Sequence, residues 1–134
     1  MTSIAKDRGL EKWAADIIQV QLAAGVKVFY GTMVAINVDG LGVPGSESLG
    51  LTFAGAAQTT VDNTEGDDGE ATVHVLRPSS YAFKWVNDGT ISQAHLLKMA
   101  YMLDNQTVSA SDGGATRSVA GRIMRVESDG VWVQ

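Results

Sequence analysis

Residues 16–29 read DIIQVQLAAGVKVF, and this stretch decides the fold class. Ile18, Val20 and Leu22 alternate with glutamines, and valines repeat the alternation after a break at Gly25. Because successive side chains of a strand point to opposite faces, an apolar residue at every second position predicts a strand with one face in a core. The stretch therefore predicts two β-strands separated by a glycine break.

Working outward, similar runs continue to the end of the chain. Each is rich in β-branched, aromatic or small apolar residues and is bounded by turn-forming residues such as Asp-Gly or by proline. They lie at residues 32–38, 51–60, 71–76, 83–86, 119–127 and 131–134. The small residues of 51–60 predict a close backbone approach or a bulge. We interpret the stretches 41–50 and 111–118 as loops.

Residues 92–103, SQAHLLKMAYML, fit two interpretations. Their apolar spacing is that of a helix, and Thr90 or Ser92 is a suitable cap. We favour a short helical turn around 92–96, then a strand at 98–103 that turns at Asp104-Asn105 into a partner strand at 106–109. The whole pattern predicts a single all-β domain, a small barrel or sandwich of about eight to ten short strands with at most one short helix.

Composition excludes several classes of function. The chain has 134 residues, a net charge of −5 and ten scattered basic residues, which argues against a nucleic-acid partner. It has no cysteine, so it forms no disulfide. No apolar run approaches the length of about 20 residues that a membrane span needs, and we expect neither a membrane partner nor a signal peptide.

The first residues differ in character from the rest. Residues 1–14, MTSIAKDRGLEKWA, mix charges with the isolated apolar residues Ile4, Leu10 and Trp13. We interpret residues 1–15 as an N-terminal arm on a β-rich domain of residues 16–134. The alternative is a disordered terminus without a role. Trp13 favours the arm, because tryptophan is enriched among residues that anchor protein interfaces.

The side chains that usually carry chemistry are few. His74 and His95 stand alone and have no zinc-ligand spacing around them. Residues 61–70, VDNTEGDDGE, hold five carboxylates and are either a calcium loop or, as we favour, a solvated hairpin tip. Trp85 and Trp132 suit a core or an interface better than a sugar-stacking platform. We predict no catalytic residue, no metal site and no cofactor, and hence a protein that is not an enzyme.

Four phrases, taken in order, carry a resemblance to a known family. They are GTMVAI at 31–36, LTFAGAAQTTVDN at 51–63, NDGTISQAHLLKMAYMLDNQTVS at 87–109 and AGRIMRVESDGVWVQ at 120–134. Together they resemble the small phage head proteins known as capsid decoration or cement proteins, over residues 16–134. Tyr101, Asp104, 106–109 and 120–133 match the closing phrases of that family. His95-Leu96-Leu97 departs from it, since a more acidic turn containing glycine is expected there.

The resemblance implies a β-rich virion protein, often a homotrimer, on the outer surface of the expanded icosahedral head. Its partner would be the major capsid protein, whose neighbouring subunits it clamps. The arm could add a strand to an exposed capsid sheet edge. On this hypothesis the capsid-contacting residues are Ile4, Arg8, Leu10 and Trp13, and the subunit-interface residues are Trp85, Tyr101 and Trp132. The alternative is a carbohydrate- or receptor-binding module displayed on the virion, with Tyr30, Tyr81 and Trp85 as stacking residues.

Overall fold

The computed structural model describes residues 2–134 and is all-β. The strands are β1 Ile17–Gln21, β2 Lys27–Val28, β3 Met33–Ile36, β4 Gly42–Pro44, β5 Thr52–Ala57, β6 Val61–Asp62, β7 Thr72–Leu76, β8 Phe83–Asn87, β9 Met99–Met102, β10 Thr107–Ser109, β11 Val119–Glu127 and β12 Gly130–Val133. Within the described range the one helical element is a single 3-10 turn, Gln93–His95. The predicted all-β class is confirmed. Ten of the strands have three or more residues, and the two-residue strands β2 and β6 bring the number to twelve.

Two predicted loops contain a strand. The acidic stretch 61–70 begins with the two-residue strand β6, which pairs with β2. In the stretch 41–50, Gly42–Pro44 forms β4 and pairs antiparallel with β3. The loop prediction was wrong here because glycine and proline both lower strand propensity, although proline is tolerated at the edge of a sheet. The pairing with β3, which no local pattern reveals, stabilises this short strand.

The first half of the chain builds a curled sheet. Its five strands lie in the order β1-β7-β5-β3-β4, and every neighbouring pair is antiparallel. Leu22, just after β1, forms a bridge with Gly42 of β4, so the two ends of the sheet meet at one corner. The small β2-β6 pair lies beside this sheet.

The second half closes into a five-stranded barrel in the order β10-β8-β12-β11-β9. The predicted split of 92–103 is confirmed, since the 3-10 turn is followed by β9, which pairs antiparallel with β10. The main-chain N–H of Ser92 donates to Nδ1 of His95, which holds the turn together. The predicted closing hairpin is present as β11 and β12.

Two hydrophobic cores share the curled sheet. Along β3, Met33 and Ala35 pack into the barrel core, while Val34 packs into the core on the other face of the sheet. In β5, Ala56 packs into the barrel core and Ala57 packs into the other core. Because alternate residues of a strand face opposite sides, these two central strands join the halves of the molecule into one body.

Candidate functional site

The N-terminal arm is the most exposed part of the described chain. Residues 2–15 form neither strand nor helix and are exposed throughout. The apolar side chains of Ile4, Leu10 and Trp13 are 56%, 86% and 70% exposed. Within the described residues, no hydrogen bond or ion pair joins the arm to the rest of the molecule. Residues 2–15 of the predicted arm are therefore exposed and make no hydrogen bond to the body, and Met1 lies outside the described residues.

The arm leaves the body at a well-anchored point. The N–H of Arg77 donates to the carbonyl of Asp16 at 2.7 Å, and the hydroxyl of Ser79 donates to its carboxylate at 2.8 Å. The Arg77 guanidinium in turn donates to the carbonyl of Ala54 at 2.8 Å. The last residue before β1 is therefore held by the loop that follows β7, and the free segment begins at a defined place.

Trp13 lies closest to the body among the four predicted capsid contacts. It lines a shallow notch with Ile17, Ile18 and His74. Ile17 and His74 are exposed, as expected for the outer face of strands β1 and β7. The other three, Ile4, Arg8 and Leu10, lie on the exposed arm. The structure therefore does not bring the four residues into one patch.

Strand β1 also presents an open edge. The N–H of Leu22 donates to the carbonyl of Ala71, and the carbonyl of Asp16 accepts from the N–H of Arg77, the residues on either side of β7, so the even-numbered residues of β1 face β7. In an antiparallel pair the intervening residues point their main-chain groups the other way. The main-chain N–H and carbonyl groups of Ile17 and Gln19 consequently face the free side of the sheet. Farther on, the N–H of Ala23 is used, because it donates to the carbonyl of Gly42 at 3.0 Å.

The three aromatic residues predicted at a subunit interface occupy different environments. Tyr101 and Trp132 are half-buried. The indole N–H of Trp132 donates to the Glu127 carboxylate, and the Lys84 ammonium lies 5.9 Å from the centre of the Trp132 ring. Lys84 also pairs with Asp129 at 2.7 Å, and this bond and charge hold the pKa of the Asp129 carboxyl below its usual value. Trp132 thus belongs to a polar surface cluster on β8 and the closing hairpin.

Trp85 is not a surface residue, and its assignment to a subunit interface is corrected. It is 5% exposed and lies in the barrel core, where its ring meets Phe53 and Phe83 edge-on with centroids 6.4 Å and 5.9 Å apart. Alternation along β8 separates the two faces of the strand but does not distinguish the core of this chain from an interface. Tyr30 and Tyr81 are exposed, but the burial of Trp85 leaves the stacking platform proposed as an alternative without its tryptophan.

The acidic segment 61–70 closes onto the end of β1 through a buried amide. Asn63 is 3% exposed and donates from its side chain to the carbonyls of Ala23 and Asp67 at 2.9 Å and 3.0 Å. The Thr64 hydroxyl and N–H both donate to Asp62, and they lower the pKa of that carboxyl. Among residues 2–134 no group of three acidic or histidine side chains is arranged to hold a metal ion.

A second network, which the sequence did not reveal, ties two loops together. Arg117 pairs with Glu47 at 2.6 Å and donates to the carbonyl of Ser111 at 3.0 Å. The Ser118 hydroxyl donates to the carbonyl of Ser48 at 2.7 Å and accepts from the N–H of Leu51 at 3.1 Å. Apart from the bond to Ser111, these partners are about 70 residues apart in the chain, so the loops 45–50 and 111–118 form one structured surface.

In the described range, no helix combines the length and apolar character required to cross a membrane. Comparisons of the chain with protein-family models, with curated proteins and with solved structures found no match.

Proposed function

We propose that the protein is a capsid decoration protein that binds the outer surface of an expanded phage head and stabilises contacts between major capsid subunits. The observation that carries the proposal is the contrast between the arm and the body. Residues 2–15 expose large apolar side chains without contacting the body through hydrogen bonds, whereas residues 16–134 form a well-bonded β structure. An apolar segment left in water on a rigid support is suited to binding a partner.

The charge distribution supports an outer location. The arm holds three basic and two acidic residues, so residues 16–134 hold seven basic and thirteen acidic ones. A body with six excess negative charges is repelled by packaged DNA and is compatible with the exterior of the head. The resemblance of the four sequence phrases to decoration proteins points the same way.

The repetition of a capsid explains how modest contacts suffice. A homotrimer on the shell binds through three arms at once, and linked contacts raise overall affinity by about 10²–10⁴ without any strong single site. Tyr101 and Trp132 remain the predicted subunit-interface residues. The glycan-binding alternative has less support, because Trp85 lies in the core.

Co-sedimentation tests the proposal. Expanded heads that lack the protein are mixed with the intact chain and, separately, with a variant in which residues 2–14 are deleted. We expect saturable binding of the intact protein at a copy number fixed by the head symmetry. The variant should melt at the same temperature as the intact protein but bind far fewer heads.

Two results would contradict the proposal. If the intact chain fails to sediment with heads and instead binds defined sugars on a glycan array, the receptor-binding alternative replaces it. If the truncated chain decorates heads as fully as the intact chain, the arm is not the capsid-binding part.

A further inference from the structure

The charges of the body are unevenly distributed. Residues 96–102 and 119–126 comprise the turn before β9, β9 itself and most of β11. They contain three basic residues, Lys98, Arg122 and Arg125, and no acidic residue. The rest of the body then holds four basic and thirteen acidic residues. One part of the barrel is therefore positively charged on an otherwise negative body.

The same two stretches expose apolar side chains. Ala100 and Ile123 point into the barrel core, so their neighbours Met99 and Met124 point outward. Leu97 lies beside them, because its N–H donates to the carbonyl of Ile123 at 2.8 Å. The outward apolar side chains, each 38% to 59% exposed, are Leu96, Leu97, Met99, Val119 and Met124. We call these five residues and the three basic ones the barrel wall.

The basic groups of the barrel wall are available to a partner. Lys98 is exposed and forms no ion pair within the described range. The side chain of Arg125 is 73% exposed and approaches Glu127 only to 3.6 Å. The Arg122 guanidinium donates to the carbonyl of Leu97 at 2.7 Å, which holds its charge beside the apolar side chains. An apolar surface with free positive charges is complementary to an acidic surface.

A second copy of this chain carries such a surface. All five carboxylates of the acidic segment 61–70 are exposed, and three of them, Asp62, Glu65 and Glu70, line a notch. Arginine suits such a notch, because its guanidinium can bond two carboxylate oxygens at once. Lys27, which lies 4.0 Å from Asp62, also lies 5.1 Å from the ring centre of the exposed Phe29. The acidic segment therefore has an apolar neighbour that can meet the apolar part of the barrel wall.

The two surfaces lie on opposite sides of the body. The inner residues of β9 and β11 belong to the barrel core, whereas Val61 and Ala71 beside the acidic segment pack against the other core. Strands β3 and β5 separate these cores, so one copy cannot join its own wall to its own acidic segment. Two walls placed face to face would bring like charges together. The complementary contact between copies is therefore head to tail.

We propose that the barrel wall of one copy binds the acidic segment of a second copy, and that this head-to-tail contact repeats until a ring closes. The inference concerns how copies join and does not depend on binding to heads. Tyr101, which the sequence predicted at a subunit interface, lies on the same face and pairs with Val119. The apolar side chains provide the buried area, and the charges provide orientation and salt dependence.

Charge reversal tests the contact in the protein alone. Lys98→Glu with Arg125→Glu reverses the barrel wall, and Glu65→Lys with Asp67→Lys reverses the acidic segment. All four side chains are exposed, so we expect the variants to melt like the intact protein. Each pair should weaken self-association about tenfold or more in sedimentation velocity. The chain that carries all four changes should regain most of it, because opposite charges face each other again.

Mixing the two paired variants tests which surfaces meet. The wall variant has two acidic surfaces and the segment variant has two basic ones, so each repels its own copies. In an equal mixture every wall meets a segment of opposite charge, and we expect association to return with the two variants alternating. Glu11→Lys with Asp39→Lys is the control, since it changes the net charge as the segment pair does but lies outside the segment. It should alter association by less than about threefold.

A matched pair of substitutions tests the apolar part of the barrel wall. Met124→Gln removes an apolar side chain from the wall, and Val38→Gln removes one from the tip between β3 and β4, where Val38 is 85% exposed. We expect Met124→Gln to weaken self-association several-fold and Val38→Gln to leave it unchanged.

Four results would overturn the inference. The first is a protein that stays monomeric up to about 1 mM. The second is a control pair that weakens association as much as the segment pair, which would reduce the effect to net charge. The third is a mixture that fails to associate, and the fourth is a wall variant that associates normally but no longer sediments with heads, which would assign the wall to the shell. None of them removes the decoration proposal, because that proposal is tested by co-sedimentation of the intact protein.

Discussion

Leu97 has a backbone conformation that suits glycine better than leucine. Its φ is 66°, in the left-handed region, and its side chain is 59% exposed. Its N–H donates to the carbonyl of Ile123 at 2.8 Å, which joins the turn after the 3-10 helix to β11. For an L-residue with a Cβ, this region costs roughly 1–2 kcal/mol. The position lies in the triplet where the resemblance led us to expect a turn containing glycine.

Leu97→Gly therefore removes strain, and its neighbour provides the control. Leu96 has φ −54° and is also exposed, so Leu96→Gly removes no strain and only adds unfolded-state entropy. Because both variants carry the same glycine cost, we expect Leu97→Gly to be more stable than Leu96→Gly by about 1–2 kcal/mol in urea unfolding. Equal unfolding free energies of the two variants would show that the turn at Leu97 holds no strain.

Gly55 is required by contact as well as by conformation. It lies in β5 with φ 151°, and a Cβ on it would stand 2.0 Å from the carbonyl oxygen of Leu76 on β7. We expect Gly55→Ala to cost about 3 kcal/mol or more, because backbone atoms must move apart. Gly40→Ala is the matched control, since Gly40 has φ 82° and open space around it. That control should cost about 1–2 kcal/mol. Similar losses in thermal unfolding would contradict the close approach.

At the scale of elements, Asn63 connects the acidic segment to β1. Asn63→Ala removes its donations to the carbonyls of Ala23 and Asp67 and leaves two part-buried acceptors without this partner. We expect a loss of about 1–3 kcal/mol. Thr64→Ala is the control, because Thr64 is exposed and its hydroxyl bonds only within the segment, to Asp62. It should change stability by less than about 0.5 kcal/mol. Fast amide exchange at Ala24 and Gly69 in the Asn63 variant alone would confirm the connection.

The strands that the sequence predicted share one physical feature. Each has one face in a core, which imposes period-two alternation that local reading can detect. β4 lacks that feature, since its three residues include glycine and proline and are stabilised by pairing with β3. The contact between Arg117 and Glu47 could not be predicted for a related reason. Side chains that are 70 residues apart in the chain leave no shared pattern in the local sequence.

The candidate site was predictable only in part. The arm could be located because its charges and isolated apolar residues break the strand pattern at residue 16. Its exposed state follows from that composition. The burial of Trp85 could not be assigned, because alternation places Phe83 and Trp85 on the same face without saying what covers that face. The open edge of β1 depends on strand order, which the sequence pattern leaves undetermined.

At the scale of the whole molecule, the shared sheet makes the two cores depend on each other. Strands β3 and β5 contribute side chains to both cores from opposite faces. If the barrel core were lost, Met33 and Ala35 would be exposed on strands that also support Val34 in the second core. Under the proposed decoration function, such coupling would keep the point where the arm begins fixed relative to the body.

We therefore expect residues 16–134 to unfold in one cooperative transition, despite having two hydrophobic clusters. Val131→Ala removes apolar volume from the barrel core, and Val73→Ala removes it from the other core. Both valines are fully buried. Each variant should lose about 2 kcal/mol, with near-ultraviolet and far-ultraviolet circular dichroism reporting the same midpoint. The double variant should lose about the sum, still in one transition, because the two sites lie in separate clusters. Two separate transitions, each lowered by only one of the substitutions, would mean that the halves fold independently and that the shared strands do not couple them.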